Sequence, residues 1–158
     1  TLYYQPVIYD TDECSVNGIS LIRNNSIPVF TGDNDDNRSG GHYYSPDYLI
    51  KVEDDSSVRY LILDAKFSDF VCVRRHHVKN LAFKYLFSMS PIRPTESIVG
   101  LCLIYGKCDA SEQMQSAYDK RLHGQQIMPA TELLPLIEGV ANEGHYSKLD
   151  ALMRTVIT

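Results

Sequence analysis

The sequence lacks the features that identify several large classes of protein. It has four cysteines among 158 residues and no Cys-x-x-Cys pair, so neither a disulfide scaffold nor a structural zinc site is indicated. Reduced thiols are typical of the cytoplasm, where we expect the protein to reside. No apolar run approaches the roughly 20 residues of a membrane-spanning helix, and the first residues lack the basic and apolar regions of a signal peptide. We therefore expect no membrane association.

An excess of positive charge is also missing. Fifteen Lys and Arg residues oppose 20 Asp and Glu residues, which gives a net charge of −5. This balance argues mildly against nucleic-acid binding, because a basic surface normally attracts that polyanion. A local basic stripe or a bound divalent cation would offset it. The net charge therefore leaves nucleic acid open as a partner.

What is present is the composition of a folded domain. Hydrophobic residues make up 44% of the chain and charged residues 22%, as in ordinary globular proteins. The length fits a single domain covering residues 1–158, since domains most often hold roughly 100–150 residues. Because the chain begins with Thr1, we expect a fragment of a longer protein, with other domains or subunits as partners.

The strongest structural pattern lies in the middle of the chain. Strand-like runs at residues 48–53 and 58–66 flank the polar segment 54–57 and predict a hairpin. Residues 73–89 have the apolar spacing of an amphipathic helix, and residues 98–105 form an apolar run typical of a buried strand. Together they predict a strand–helix–strand unit in an α/β or α+β fold, with helices on the faces of a sheet.

The remaining patterns predict smaller elements. They are a strand at 2–9 interrupted by Pro6, a hairpin of 19–23 with 27–30, a loop at 31–41, a helix at 109–122, a strand at 126–135 and a helix at 145–156.

Acidic and basic residues lie at the ends of the central hairpin. Asp47 opens its first strand and Asp64 lies near the end of the second, so both carboxylates are expected at one edge of the sheet. The two-residue period places Tyr60, Ile62, Asp64 and Lys66 on one face of the second strand. Two carboxylates there can hold Mg²⁺ or Mn²⁺. Lys66 is placed to act on a metal-acidified water or to stabilise developing negative charge.

Pro46-Asp47 followed by Asp64-Ala65-Lys66 resembles the PD-(D/E)xK motif of the restriction-endonuclease-like nuclease superfamily. Within it, the phrase LDAKF is similar to the nuclease domains of McrC-type restriction proteins. The resemblance implies a mixed central sheet flanked by helices. It also implies a metal-dependent nuclease that hydrolyses phosphodiester bonds, of DNA rather than RNA, in a prokaryotic restriction or defence system.

The same resemblance assigns roles to individual residues. Asp47, Asp64 and Lys66 would be catalytic, and Asp47, Asp64 and the backbone carbonyl of Ala65 would hold Mg²⁺ or Mn²⁺. Many members have a further acidic residue on a helix before the motif. No clear helix is predicted there, and Glu13 is the candidate for that ligand.

Substrate contacts are expected from three further side chains. His77 and Lys84 lie on one flank of the predicted helix, where many members of the superfamily carry a polar or basic residue, and His42 lies just before the motif. For Arg74 and Arg75 we expect a solvated helix face, and for Tyr43, Tyr44 and Tyr48 packing rather than base stacking. A nuclease that makes double-strand breaks often needs two sites, which allows a homodimer.

Two alternatives remain. The chain is either a catalytically inactive descendant of that fold, acting as a binding or assembly module, or an unrelated α/β domain with a charged hairpin. The motif is short, and Pro-Asp followed by Asp-x-Lys also co-occurs by chance. The missing upstream acid and the negative net charge favour the inactive module, while the intact set of Asp47, Asp64 and Lys66 favours the enzyme.

Overall fold

The computed structural model describes residues 1–9, 18–24, 43–107, 112–118, 127–136, 147 and 149–154. In chain order the strands are β1 Leu2–Tyr4, β2 Ile8–Tyr9, β3 Leu21–Arg23, β4 Tyr43–Tyr44, β5 Tyr48–Glu53, β6 Val58–Asp69, β7 Met89–Pro91, β8 Glu96–Lys107, β9 Gln115–Ser116 and β10 Ala130–Pro135. Helix α1 spans residues 70–87, and helix α2 contains residues 147 and 149–154.

The architecture is mixed α+β, built on a six-stranded sheet in the order β1-β5-β6-β8-β10-β9. The pairs β1–β5, β5–β6 and β10–β9 are antiparallel, whereas β6, β8 and β10 run parallel to one another. Two smaller ladders, β2–β4 and β3–β7, lie outside this sheet. The predicted mixed sheet is thus confirmed at the level of fold class.

The predicted central hairpin is confirmed. Strands β5 and β6 pair from Tyr48 opposite Leu63 to Glu53 opposite Val58. The turn is held by the Asp54 carboxylate, which accepts hydrogen bonds from the backbone N–H groups of Ser56 and Ser57 at 2.9 and 2.8 Å. These bonds lower the pKa of Asp54 well below its usual range. Because side chain and backbone together fix this turn, they also fix the register of the two strands.

The strand–helix–strand unit is also confirmed, with different helix boundaries. Helix α1 begins at Phe70 rather than residue 73, because Asp69 caps it by accepting a 2.7 Å hydrogen bond from the N–H of Cys72. It ends at Phe87 rather than residue 89, since Met89 opens β7 and pairs with Arg23 of β3. The parallel pairing of β6 with β8 closes the unit around α1.

Both faces of the sheet are covered by apolar residues. On one face Tyr60 and Ile62 pack with Leu101 and Leu103 against the buried side of α1, and on the other Leu61 and Leu63 pack with residues of β10 and α2. The predicted two-residue alternation of β6 is therefore confirmed for these four core positions. Each fully buried large side chain contributes roughly 1.5–3 kcal/mol, so this double burial fixes the strand that carries Asp64.

Other predictions have mixed outcomes. The strand at 2–9 is interrupted around Pro6, and the strand predicted at 126–135 begins only at Ala130, as β10. Residues 149–154 are helical as predicted. The helix predicted at 109–122 is wrong over residues 112–118, where β9 pairs with the edge of β10 and satisfies its backbone groups. Segments 27–30 and 31–41 lie outside the described residues.

Within the described part of the chain, no helix is long and apolar enough to cross a membrane.

Candidate functional site

Asp64 is a buried carboxylate in the middle of the sheet. Its side chain lies on the α1 face of β6, and the residue is 3% exposed. One carboxylate oxygen, Oδ2, accepts a 2.9 Å hydrogen bond from the hydroxyl of Tyr85, and the other, Oδ1, contacts the Lys66 ammonium. A buried carboxylate is costly without such partners. The two donors explain how an acid is tolerated beside Ile62.

Asp47 lies beside Asp64, as the hairpin predicts. Tyr48 is opposite Leu63, and extending this register by one residue places Asp47 opposite Asp64. The Asp47 Oδ2 accepts a 2.7 Å hydrogen bond from the backbone N–H of Ala65. This bond ties the first acid of the hairpin to the residue that follows the second acid.

Lys66 completes the predicted group. Its ammonium contacts Asp64 Oδ1 and lies 3.2 Å from the carbonyl oxygen of Ala65. These two oxygens therefore converge on a single positively charged group. The sequence period placed Asp64 and Lys66 on one face of β6, and the ion pair agrees with that placement.

Lys84 approaches the same site from α1. Its ammonium nitrogen lies 4.8 Å from the ring centroid of Tyr85 and 5.2 Å from that of Tyr44. Burial lowers the pKa of Lys84, while the negative charges of Asp64 and Asp47 act in the opposite direction. Lys84 thus lies on the ring of Tyr85, whose hydroxyl donates to Asp64, whereas the sequence predicted only the flank of the helix on which Lys84 would lie.

Tyr85 was not among the predicted site residues. It is 1% exposed, and its hydroxyl joins α1 to Asp64 and lies 3.4 Å from the carbonyl oxygen of Ser45. Burial raises the pKa of Tyr85, and the negative charge of Asp64 raises it further. The hydroxyl therefore remains a neutral donor at physiological pH. The sequence does hold one indication of this role: a tyrosine on the apolar face of a helix is expected to be buried, and a buried hydroxyl needs a hydrogen-bond partner.

The neighbouring tyrosines pack against one another and against cations. Tyr44 meets the ring of Tyr85 edge-on at 6.4 Å, and the buried guanidinium of Arg23 lies 4.9 Å from the ring centroid of Tyr44. Tyr43 packs on Tyr9 and Tyr48 packs on Tyr4. The packing expected for Tyr43, Tyr44 and Tyr48 is present. The sequence around Arg23 contains no pattern that predicts its contact with Tyr44.

The other predicted substrate residues fall elsewhere. His77 is half-buried on α1, and its Nε2 lies 3.9 Å from the Sγ of Cys72. The structure thus brings Lys84 to the carboxylates and places His77 against a thiol. His42 and the candidate ligand Glu13 lie outside the described residues.

The oxygen atoms at the site suit a hard divalent cation. Asp47, Asp64 and the Ala65 carbonyl supply carboxylate and carbonyl oxygens, and Mg²⁺ is usually held by one or two carboxylates with waters in its remaining positions. No group of three or more His, Cys, Asp or Glu side chains with metal-binding geometry occurs among the described residues. Asp64 Oδ1 and the Ala65 carbonyl oxygen lie close together, since both contact the Lys66 ammonium. Carboxylate and carbonyl oxygens are ligand types that Mg²⁺ and Mn²⁺ accept, and two of the three donors here are side chains.

Comparison of the chain with protein-family models and with curated proteins gave no match.

The site contains two carboxylates, two ammonium groups and one neutral phenol: Lys66 and the Tyr85 hydroxyl contact Asp64, Asp47 accepts from the backbone N–H next to Asp64, and Lys84 lies on the Tyr85 ring. Carboxylates are able to hold a cation or accept a proton, and ammonium groups are able to bind an anionic oxygen. Such a site is chemically suited to an anionic substrate handled together with a cation.

Proposed function

We propose that this domain is a metal-dependent nuclease with a restriction-endonuclease-like fold, most consistent with a DNA endonuclease of a prokaryotic restriction or defence system. One observation carries the proposal: Asp64 Oδ1 and the carbonyl oxygen of Ala65 both face the Lys66 ammonium, and Asp47 accepts a hydrogen bond from the N–H of the same Ala65. The surrounding hairpin, helix and parallel strand support it, because they occur in the order that the motif resemblance implies.

Each side chain has a role in the proposed hydrolysis. Asp47, Asp64 and the carbonyl of Ala65 would hold Mg²⁺ or Mn²⁺, which when bound supplies an acidified water and neutralises phosphate charge. Lys66 orients or deprotonates the attacking water and stabilises negative charge on the phosphate oxygens. Lys84 binds a phosphate oxygen of the same strand. Tyr85 holds Asp64 in one rotamer, so that Oδ1 faces the reaction centre.

The second candidate is an inactive domain of the same fold that serves as a binding or assembly module. It is favoured by the metal-ligand count, since the described residues contain no group of three potential ligand side chains. The contacts that bring Asp64 Oδ1 and the Ala65 carbonyl oxygen together also admit this candidate, because in the structure the Lys66 ammonium occupies both oxygens that a metal ion would need. Both candidates use the same fold and differ only in whether a cation displaces that ammonium.

A nuclease assay separates the two candidates. Single- and double-stranded DNA and RNA are incubated with the protein and Mg²⁺, Mn²⁺ or a chelator. We expect metal-dependent cleavage of DNA that is lost in Asp64→Asn and Lys66→Met and reduced about tenfold or more in Lys84→Met, in line with the contribution of single electrostatic or acid–base groups. Arg93→Gln is a matched control, because Arg93 is exposed on the loop between β7 and β8.

Several results would contradict the proposal. Cleavage that survives both Asp64→Asn and Lys66→Met would place the chemistry elsewhere. Absence of cleavage under all conditions, together with no Mn²⁺ binding by calorimetry, would favour the inactive module. Calorimetry on Asp47→Asn reports on the metal site independently of turnover, since that variant should lose Mn²⁺ affinity while Arg93→Gln retains it.

A further inference from the structure

Helix α1 has an unusual charge for this chain. Its 18 residues include four Lys or Arg side chains and no Asp or Glu, although the whole sequence has 20 acidic against 15 basic residues. The described structure shows Arg74, Arg75 and Lys79 exposed on this helix. Basic charge that is scarce overall is therefore concentrated on one accessible element.

Two exposed aromatic rings continue the same surface. Phe83 is 60% exposed and Phe87 is 71% exposed. Arg75, Lys79, Phe83 and Phe87 follow one another at intervals of four residues. We call these four side chains the α1 stripe, in which the basic half precedes the aromatic half.

The local helix geometry keeps the α1 stripe straight. In an α-helix of 3.6 residues per turn, positions four residues apart drift steadily around the axis. The segments Val73–His77 and Phe83–Phe87 are π-helical, with wider turns that offset this drift. At about 1.5 Å per residue the stripe is roughly 18 Å long. Its aromatic end flanks Lys84, which lies at the carboxylate site.

We propose that the α1 stripe binds single-stranded nucleic acid, with phosphates on Arg75 and Lys79 and unpaired bases stacked on Phe83 and Phe87. This inference rests on the proposed function, because it names the form of the substrate that reaches the site. Positive side chains beside exposed aromatic rings are the combination that single-strand-binding surfaces use. A duplex offers phosphates to the basic half but no free base faces to the aromatic half. The stripe therefore prefers an unpaired strand.

Binding is measured by fluorescence anisotropy with a labelled single-stranded DNA 20-mer, the same RNA sequence and the corresponding DNA duplex. The measurements use the full chain with a metal chelator present, so that no cleavage occurs, and are repeated over a range of salt concentrations. The double variant Arg75→Gln/Lys79→Gln should reduce the slope of log affinity against log salt by about 1.4, at about 0.7 per phosphate contact on a single strand. Arg93→Gln removes one exposed positive charge elsewhere and should leave the slope unchanged.

The aromatic half is tested separately. Phe83→Leu/Phe87→Leu should weaken single-strand binding about tenfold or more while leaving the salt slope unchanged, because stacking involves no counterion release. Phe83→Tyr/Phe87→Tyr keeps the rings and should retain the affinity. Melting curves that superimpose on that of the unaltered protein exclude unfolding as the cause, since both phenylalanines are exposed.

The outcomes distinguish the inference from the proposed function. Equal binding of duplex and single strand, an unchanged salt slope in the basic variant, or retained affinity in the leucine variant would each overturn the inference, even if the protein cleaves DNA. Self-association that is lost on substitution of Phe83 and Phe87 would also overturn it, by assigning the rings to a protein interface. Stripe-dependent binding without any cleavage would support the inference and contradict the nuclease.

Discussion

Replacement of Tyr85 by phenylalanine tests the network that holds Asp64. The change removes one oxygen from a side chain that is 1% exposed and leaves the ring packing intact. Asp64, itself 3% exposed, then loses the 2.9 Å hydrogen bond to its Oδ2. Hydrogen bonds to charged groups contribute about 1.5–3 kcal/mol. For a domain of this size, where 1 kcal/mol shifts the melting temperature by about 2–4 °C, we expect a loss of about 3–12 °C.

The pH dependence of Tyr85→Phe has a defined sign. Burial and Asp64 raise the pKa of Tyr85 above its ordinary value of about 10. Above that pH the unfolded chain loses the phenolic proton first, so the stabilisation by Tyr85 is complete below about pH 10 and is lost as the pH rises further. The stability difference between the unaltered protein and Tyr85→Phe should therefore narrow in alkaline solution.

Urea denaturation at neutral pH provides the assay, and a double-mutant cycle with Asp64→Leu, which has no acceptor, isolates the pair. The matched control is Tyr48→Phe, whose hydroxyl makes no hydrogen bond within the described residues and whose ring packs on Tyr4. It should change the free energy of unfolding by about 0.5 kcal/mol or less. A similarly small change in Tyr85→Phe, or an undiminished loss in the Asp64→Leu background, would refute the proposed coupling.

Three further predictions concern other positions. Gly100→Ala should lower the free energy of unfolding by about 1–3 kcal/mol, because its Cβ would lie 3.0 Å from the carbonyl oxygen of Ala130. Gly106→Ala, whose Cβ would find no atom closer than 3.6 Å, should be tolerated, and equal losses in urea titrations would contradict this. Because the pKa of Asp54 is lowered in the folded protein, the stabilisation that its carboxylate contributes is present above about pH 4 and is lost on acidification. Asp54→Ala should therefore have a lower melting temperature than the unaltered protein at pH 7, and the two melting temperatures should approach each other by about pH 2. Lys84→Met should raise the melting temperature at pH 7, because burial disfavours the ammonium of Lys84. The gain in melting temperature should narrow as the pH approaches about 10.4, where a lysine in the unfolded chain also loses its charge. A lower melting temperature of Lys84→Met at pH 7 would show that attraction by the carboxylates dominates.

The parts of the site that the sequence predicts are those set by local chain geometry. Asp47 and Asp64 are brought together by a hairpin in which the turn at residues 54–57 lies about midway between the two acids. Lys66 follows from the two-residue period of the same strand. These relations need no knowledge of distant contacts, so the pattern of polar and apolar residues was sufficient.

The parts that the sequence does not predict depend on contacts between distant segments. Tyr85 fits the apolar period of α1, and only the packing of α1 on β6 shows that its hydroxyl meets Asp64. Arg23 contacts Tyr44, although their strands pair with different partners: β3 with β7, more than 60 residues away in the sequence, and β4 with β2. The strand β9 replaces part of a predicted helix because the edge of β10 requires a partner. Only in the case of β9 does tertiary pairing override a weak local preference, whereas for Tyr85 and Arg23 it supplies a contact on which the local pattern has no bearing.

The net charge of −5 carries less weight against nucleic-acid binding once the positions of the charges are known. Screening in physiological salt limits the reach of an exposed charge to about 8 Å. An 18-residue helix is about 27 Å long, several times that distance. A phosphate beside the basic half of the α1 stripe is therefore affected mainly by the charges nearest to it, those of the exposed Arg75 and Lys79, and little by charges farther away than the screening distance. At the site, the two ammonium groups of Lys66 and Lys84 match in number the two carboxylates of Asp47 and Asp64, so the proposed phosphodiester substrate would meet no net charge of its own sign there. Local charge, rather than the sum over the chain, is the quantity that the salt dependence of binding will measure.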